Sequence, residues 1–243
     1  MTELNGKHVL ITGGARHLGR AIALAMAGTG ARVAFTYLNS HEEAGRTLEE
    51  ITKLSAGSMA VPCDIRKKES VETAVQTVAA AMGGIDILVN NAGYFETAPF
   101  DQLTEEQWDN MFATNVRGPF LVSQQCLPLL RSSRGRIIHL GSLGGEKAWV
   151  THAHYCSSKA ALHMLTRVMA KALAPEVAVN CVAPGTIDLG DGDREFFQRM
   201  AAHTPMRRNG TEDDIVSSVM FFATATHFIT GQIMLVDGGL SQR

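Results

Sequence analysis

The sequence predicts a single α/β domain built on a doubly wound, seven-stranded parallel sheet with helices on both faces. Three observations carry that expectation. Seven short apolar runs rich in Val and Ile recur along the chain, mostly without the polar alternation of a strand that has one wet face. Stretches with helical periodicity separate them. The 243 residues hold no Pro- or Ser-rich linker, internal repeat or low-complexity segment, so one domain, 1–243, is drawn.

The elements follow in order. The first run, His8–Thr12, leads into a helical stretch near 18–29, and the second, Arg32–Thr36, into one near 41–55. Ser58–Cys63 precedes a helix near 67–82, and Ile85–Val89 a long one expected over 104–130. Arg136–Leu140 precedes a helix near 153–174, Val177–Val182 one near 211–225, and Gln232–Val236 closes the sheet. Right-handed crossovers in such a sheet place a ligand beyond the carboxyl ends of the strands.

Composition narrows the function classes. A formal net charge of −2 supplies no global basic field, so a nucleic-acid partner is not expected. No apolar run reaches the roughly 18 residues of a membrane span. Met1–Lys7 lacks a signal-peptide pattern and runs straight into the first strand. The four cysteines, Cys63, Cys126, Cys156 and Cys181, are scattered without a Cys-x-x-Cys pair, which suits reduced thiols in a cytoplasmic protein. Cys156 has no His–Asn framework to make it a nucleophile.

Two stretches carry chemistry. The first strand ends in Thr12-Gly13-Gly14-Ala15-Arg16-His17-Leu18-Gly19 and then a helix. A glycine-bearing turn there exposes backbone N–H groups and the positive end of the helix dipole to a pyrophosphate. The second strand ends in Thr36-Tyr37-Leu38-Asn39-Ser40, with no acid before Glu42. A carboxylate at that place would hold the 2′-hydroxyl of NAD and repel the 2′-phosphate of NADP. Its absence, with Arg16 and His17 in the turn and Asn39 and Ser40 as donors, favours NADPH. The alternative is a turn of merely solvated side chains.

The other stretch is Tyr155-Cys156-Ser157-Ser158-Lys159. On a helix its Tyr and Lys, four residues apart, share one face. An ammonium about 4–5 Å from a phenol, at an effective dielectric near 20, favours the phenolate by roughly 3–4 kcal/mol. The expectation is a tyrosine pKa lowered by about two units or a little more, enough for a general acid. An ordinary helix with both groups in solvent fits the same spacing.

Thr12-Gly13 with Gly19, Asn90-Asn91-Ala92-Gly93, Asn115, Ser142, Tyr155-x-x-x-Lys159, Pro184-Gly185 and Asp237-Gly238-Gly239 together decide between them. In this order and spacing they resemble the short-chain dehydrogenase/reductase family along the whole chain. The resemblance implies a Rossmann fold and hydride transfer between a nicotinamide cofactor and a small C=O or C=N substrate. It implies that Tyr155 protonates the atom receiving electron density. Lys159 would tune Tyr155 and hold the nicotinamide ribose, Ser142 would polarise the substrate carbonyl, and Asn115 would hold a water linking Lys159 to solvent. The implied cofactor cradle comprises Gly13, Arg16, His17, Leu18 and Gly19, then Tyr37, Asn39 and Ser40, then Asp64 at the adenine with Ile65. It continues through Asn91, Ala92 and Gly93 to Pro184, Gly185 and Ile187. A homotetramer paired through the helices near 104–130 and 153–174 is also implied. A regulator that kept the fold and lost turnover is the reading from another class; such proteins usually lack the tyrosine or lysine that persist here.

Departures from the family pattern bear on substrate. His17 stands where the middle glycine of Thr-Gly-x-x-x-Gly-x-Gly is expected, resembling the bacterial pteridine reductase and dihydromonapterin reductase-like branch. Phe95 falls where that branch sandwiches a pterin, and Leu189 where most members carry threonine. Against this, Ser142 stands where pteridine reductases carry aspartate and Gly93 where they carry serine, and Ser142 is what 3-oxoacyl-acyl-carrier-protein reductases and general carbonyl reductases carry. The substrate set is therefore Phe95, Ser142, Tyr155 and Leu189, with a pterin the first expectation and a 3-oxoacyl thioester the second. A substrate lid is expected over about 185–205, closing with Phe196 and Phe197; a solvated turn leading into an amphipathic helix is the alternative. His152 and His154 flank the tyrosine without a third ligand at metal spacing, so no metal is expected.

Overall fold

The computed structural model describes residues 4–190 and 192–242. Its seven strands are β1 (His8–Ile11), β2 (Arg32–Tyr37), β3 (Met59–Pro62), β4 (Ile87–Asn90), β5 (Arg136–Leu140), β6 (Ala178–Pro184) and β7 (Ile233–Val236). The helices are α1 (His17–Gly28), α2 (His41–Leu54), α3 (Lys68–Met82), α4 (Glu105–Phe112), α5 (Gly118–Ser133), α6 (Ala153–Leu173), α7 (Arg194–His203) and α8 (Glu212–Thr224). All strand pairs are parallel, in the order β3-β2-β1-β4-β5-β6-β7.

The pleat explains why the strands read as unbroken apolar runs. Successive side chains point to opposite faces, and both faces are covered. Val9 and Ile11 of β1, Ile87 and Val89 of β4 and Ile138 of β5 pack with Ile22 and Met26 of α1 and Ile215, Val219 and Phe222 of α8. Leu10, Leu88 and Ile137, one residue out of phase, pack with Val71, Val75 and Val78 of α3 and Val122, Cys126 and Leu130 of α5. Strand order reverses between β1 and β4, which opens the crevice where ligands bind in such sheets.

Two elements differ from the sequence expectation. The long helix over 104–130 is α4 and α5 joined by a π turn at Ala113–Arg117. The extra residue turns Asn115 inward, 1% exposed. Beside it, a Cβ at Gly118 would stand 2.6 Å from Ile65 Cδ1, so the helix restarts against the β3–α3 loop. The second half of the expected lid is helical: α7 starts at an Asp193 cap whose side chain accepts from the Glu195 N–H at 2.9 Å. The amphipathic-helix alternative therefore describes this part; Asp191, within the expected lid, lies outside the described residues, as do Met1–Glu3.

Candidate active site

The floor of the crevice is made where β1 and β4 end. Asn91 Nδ2 donates to the Thr12 and Gly13 carbonyls, each at 2.9 Å. Thr12 Oγ1 accepts the Asn91 and Ala92 N–H groups, both at 3.0 Å. The two loops are thus tied into one unit, and space there admits only glycine. A Cβ at Gly19 would lie 2.1 Å from the Gly13 carbonyl oxygen. Gly13 itself has φ +66°. The Arg16 side chain does not cap α1 and the first turn holds no acid, so no carboxylate of that turn offsets the positive end of the helix dipole.

His17 opens α1 at φ +50°, in the left-handed region. That backbone geometry is why glycine suits this place in the family pattern; a non-glycine residue holds it at a cost of about 1–2 kcal/mol. Arg16 beside it is exposed. Beyond β2, the Tyr37 ring meets His41 edge-on at 5.2 Å, and Asn39 and Ser40 occupy the turn into α2. Asp64 is gripped by Arg66, whose Nε and Nη2 donate to its two oxygens at 2.8 and 2.9 Å. The Arg66 side chain thereby holds the Asp64 carboxyl below its ordinary range. Arg66 escaped the sequence reading; the Asp-x-Arg spacing was its signal. Ile65 is buried, Gly93 exposed. Gly185 donates its N–H to Val236 at 2.9 Å. Ile187 pairs with Gly210 and packs on the core, and Leu189 follows it, half-buried, in the loop toward α7.

The chemistry-bearing groups meet across the crevice. Tyr155 and Lys159 share a face of α6, and the Lys159 ammonium lies 5.8 Å from the Tyr155 ring centre. Its Nζ donates to the Leu140 carbonyl at 2.9 Å. Ser142, just past β5, neighbours the Tyr155 side chain closely enough to act on its ionisation, and its Oγ accepts the Gly144 N–H at 3.0 Å. The expectation that Lys159 lowers the tyrosine pKa is corrected here. Burial dominates and pushes the Tyr155 phenol up, with the neighbouring Ser142 hydroxyl working against it. The ammonium is turned to a backbone carbonyl, and burial brings its own pKa down to about 8.

The Asn115 side chain ties two segments of the site together. Its Oδ1 accepts the Tyr94 N–H at 2.8 Å, and its Nδ2 donates to the Tyr94 carbonyl at 2.9 Å and to Ser158 Oγ at 3.1 Å. It splints the loop after β4 to α6, one residue from Lys159.

Phe95, on that loop, stands edge-on to the Tyr155 ring at 4.9 Å and 5.4 Å from the His152 ring. Trp149 lies 5.8 Å beyond His152, so an aromatic wall flanks the phenol. Of this wall, Phe95 and His152 are singled out by the sequence, His152 by its place beside the tyrosine, whereas Trp149 carries no sequence signal. His154 is fully buried, its Nε2 3.8 Å from Glu96. Among the described residues no group of three His, Cys, Asp or Glu is placed to hold a metal ion. Phe197 packs at Gly192, with Phe196 edge-on to it at 5.4 Å.

Comparison with known proteins agrees with this architecture. A family profile described as enoyl-(acyl carrier protein) reductase matches residues 13–241. The 3-oxoacyl-[acyl-carrier-protein] reductase FabG of Staphylococcus aureus (strain Mu50) is 35% identical over 240 residues, 96% of this chain and 98% of that protein. A short-chain dehydrogenase/reductase from Serratia marcescens BCRC 10948 superposes with a TM-score of 0.93 at 34% identity, covering 99% of this chain and all of that one (100%). A blue fluorescent protein from a metagenomic library, solved in complex with NADPH, does so at 0.92 and 33% identity, covering 98% and 99% of the two chains. The chain belongs to the short-chain dehydrogenase/reductase family and is an oxidoreductase.

Proposed function

We propose that the protein is an NADPH-dependent reductase of a small carbonyl compound, with Tyr155 as the general acid. The observation that carries this reading is the convergence of Ser142, Tyr155 and Lys159 beside the start of α1. The residues present fit the cofactor. Gly13 and Gly19 let the turn close on itself and on the Asn91–Ala92 loop, which suits a pyrophosphate at the backbone N–H groups of the helix start, and the exposed Arg16 with Asn39 and Ser40 suits a 2′-phosphate where no carboxylate stands. The rest of the cradle would be Leu18, Tyr37, Asp64, Ile65, Asn91, Ala92, Gly93, Pro184, Gly185 and Ile187. When bound, the reduced nicotinamide supplies the hydride.

The chain's own part is proton supply and orientation. Ser142 donates to the substrate oxygen, and Tyr155, kept protonated by burial, gives that oxygen its proton. Lys159, charged below about pH 8, stabilises the phenolate left behind. Asn115 keeps the Tyr94–Phe95 segment and Ser158 in register with this set.

Ser142, a neutral donor, suits a carbonyl oxygen, and the Staphylococcus aureus relative is named for a 3-oxoacyl substrate. A second reading, reduction of a pterin, draws support from Phe95, whose ring is 57% exposed beside the phenol and offers a stacking face. Steady-state oxidation of NADPH with an acetoacetyl thioester, against dihydropterin or biopterin, separates the two. A clear preference for the thioester sinks the pterin reading. Equal turnover with NADH and NADPH at equal concentration overturns the cofactor assignment.

The apolar face around α5 and α6 supports pairing of chains there. Phe120, Met164 and Val168 are exposed, and a groove of about 710 Å³ lined by Phe112, Val116, Phe120 and Leu165 adjoins them. Light scattering on the purified protein tests the homotetramer; a monomeric mass overturns it.

A further inference from the structure

Tyr155, Lys159 and His163 form one stripe of α6, each a single turn from the next. The first two face the crevice and the third lies behind it. His163 is 1% exposed, and the loop carrying Ser142 wraps its ring. A Cβ at Gly141 would lie 2.5 Å from His163 Nε2, and one at Gly145 2.5 Å from its Cε1. Two glycines flanking the serine are therefore required by the imidazole. On its far side the ring is held by Glu146, whose Oε1 is 2.9 Å from Nδ1, with Arg167 Nη2 at 3.7 Å from the same oxygen. On its near side the Ser142 backbone N–H points at Nε2, 3.5 Å away.

The donor–acceptor logic fixes the tautomer. An ionised carboxylate only accepts, so Nδ1 carries the proton, and the neutral ring then offers Nε2 as an acceptor. A buried N–H without a partner is costly, and Nε2 is the partner the Ser142 N–H has. We infer that His163 is a positioning residue for the reduction: held by Glu146 with its proton on Nδ1, it takes the Ser142 N–H and thereby fixes the Ser142 hydroxyl against Tyr155. This rests on the reading of Ser142 and Tyr155 proposed above and adds a residue outside the crevice to it.

Protonation of His163 would turn Nε2 into a donor facing another donor, and Ser142 would lose its anchor. The groups facing the ring are Glu146 from the loop after β5, Arg167 and Lys159 from α6, and Cys181 from β6. Burial pulls the imidazole below its ordinary range, the Glu146 carboxylate opposes this, and the two cations add to the lowering. The neutral, anchoring form therefore persists below pH 6.5, and reduction is lost only at more acid pH.

The test uses His163→Leu, His163→Gln and Glu146→Gln, assayed with NADPH and an acetoacetyl thioester or biopterin, whichever the wild type turns over. His163→Leu should lower kcat at least about tenfold with KM for NADPH within about twofold. His163→Gln, whose amide oxygen can accept the Ser142 N–H, should recover most of that loss. Glu146→Gln should move the acid limb of kcat to lower pH, because it removes the group that favours the imidazolium. In the wild type the Ser142 amide resonance should titrate with the His163 ring, and in His163→Gln it should not. Unchanged kcat in His163→Leu overturns the inference, as does a Gln variant no better than the Leu variant or a Ser142 amide blind to the ring. Should the Leu variant fail to fold, the Gln rescue, the Glu146→Gln shift and the amide titration still decide. Should the wild type reduce neither probe, the amide titration still reports the His163–Ser142 bond, so that failure falls on the proposed reaction alone.

Discussion

Replacing Gly19 by alanine tests the cofactor floor where space is tightest. The new methyl would sit 2.1 Å from the Gly13 carbonyl oxygen and 2.5 Å from Asn91 Nδ2, both less than any contact a real Cβ makes. Neither neighbour is a flexible tip: the first is backbone, and the second is bound to the Thr12 and Gly13 carbonyls. Overpacking of this kind costs about 1–3 kcal/mol, and losing the two Asn91 hydrogen bonds adds about 1 kcal/mol each. Alanine's better helix propensity returns about 1 kcal/mol. The net loss is about 2–4 kcal/mol, which for a chain of this size lowers Tm by about 4–16 °C. Because the distorted segment is the turn that would seat the pyrophosphate, the Kd for NADPH should also rise at least about tenfold. Gly45→Ala is the control: it lies on the exposed face of α2 with nothing within 4 Å of a new Cβ, so it should stabilise slightly. Circular-dichroism melts with and without NADPH, and nucleotide-fluorescence titrations, read both quantities. Wild-type Tm and Kd in Gly19→Ala would refute the close-approach argument.

Three other outcomes are expected. The rate of carbonyl reduction should hold through neutral pH and fall above about pH 8, as Lys159 loses its proton while Tyr155 stays protonated; a flat profile to pH 10 contradicts this. Phe95→Ala should raise KM for a ring substrate by about an order of magnitude, since a lost ring contact costs about 1–2 kcal/mol, and unchanged KM would make Phe95 structural. His139 is wholly buried and pushed down to about 3, so between pH 6.5 and 3 the unfolded chain binds the extra proton and stability falls as pH falls; urea midpoints at pH 7 and 5 should show a smaller drop in His139→Gln.

The strands were legible because both faces of the sheet are covered, which leaves Val9–Ile11 and Ile87–Val89 apolar at every position. The break between α4 and α5 was not. It arises from contacts far apart in sequence, Gly118 against Ile65 and Asn115 against the Tyr94 backbone, which no local period records. Tyr155 and Lys159 were legible as a spacing; the balance of their pKa values was not, because it is set by burial and by the Leu140 carbonyl. His163 sits at the same spacing from Lys159 as Lys159 does from Tyr155. Its place behind Ser142 emerges only when the loop at 141–145 closes around it.

Proton delivery by Tyr155 and nucleotide binding by the glycine turn and its neighbours are two separable tasks on one crevice. Tyr155→Phe removes one hydroxyl and leaves the ring that meets Phe95. In this variant kcat should fall about a thousandfold, with the Kd for NADPH within about threefold of wild type. Turnover near the wild-type rate in Tyr155→Phe, or binding lost in step with turnover, would contradict this assignment.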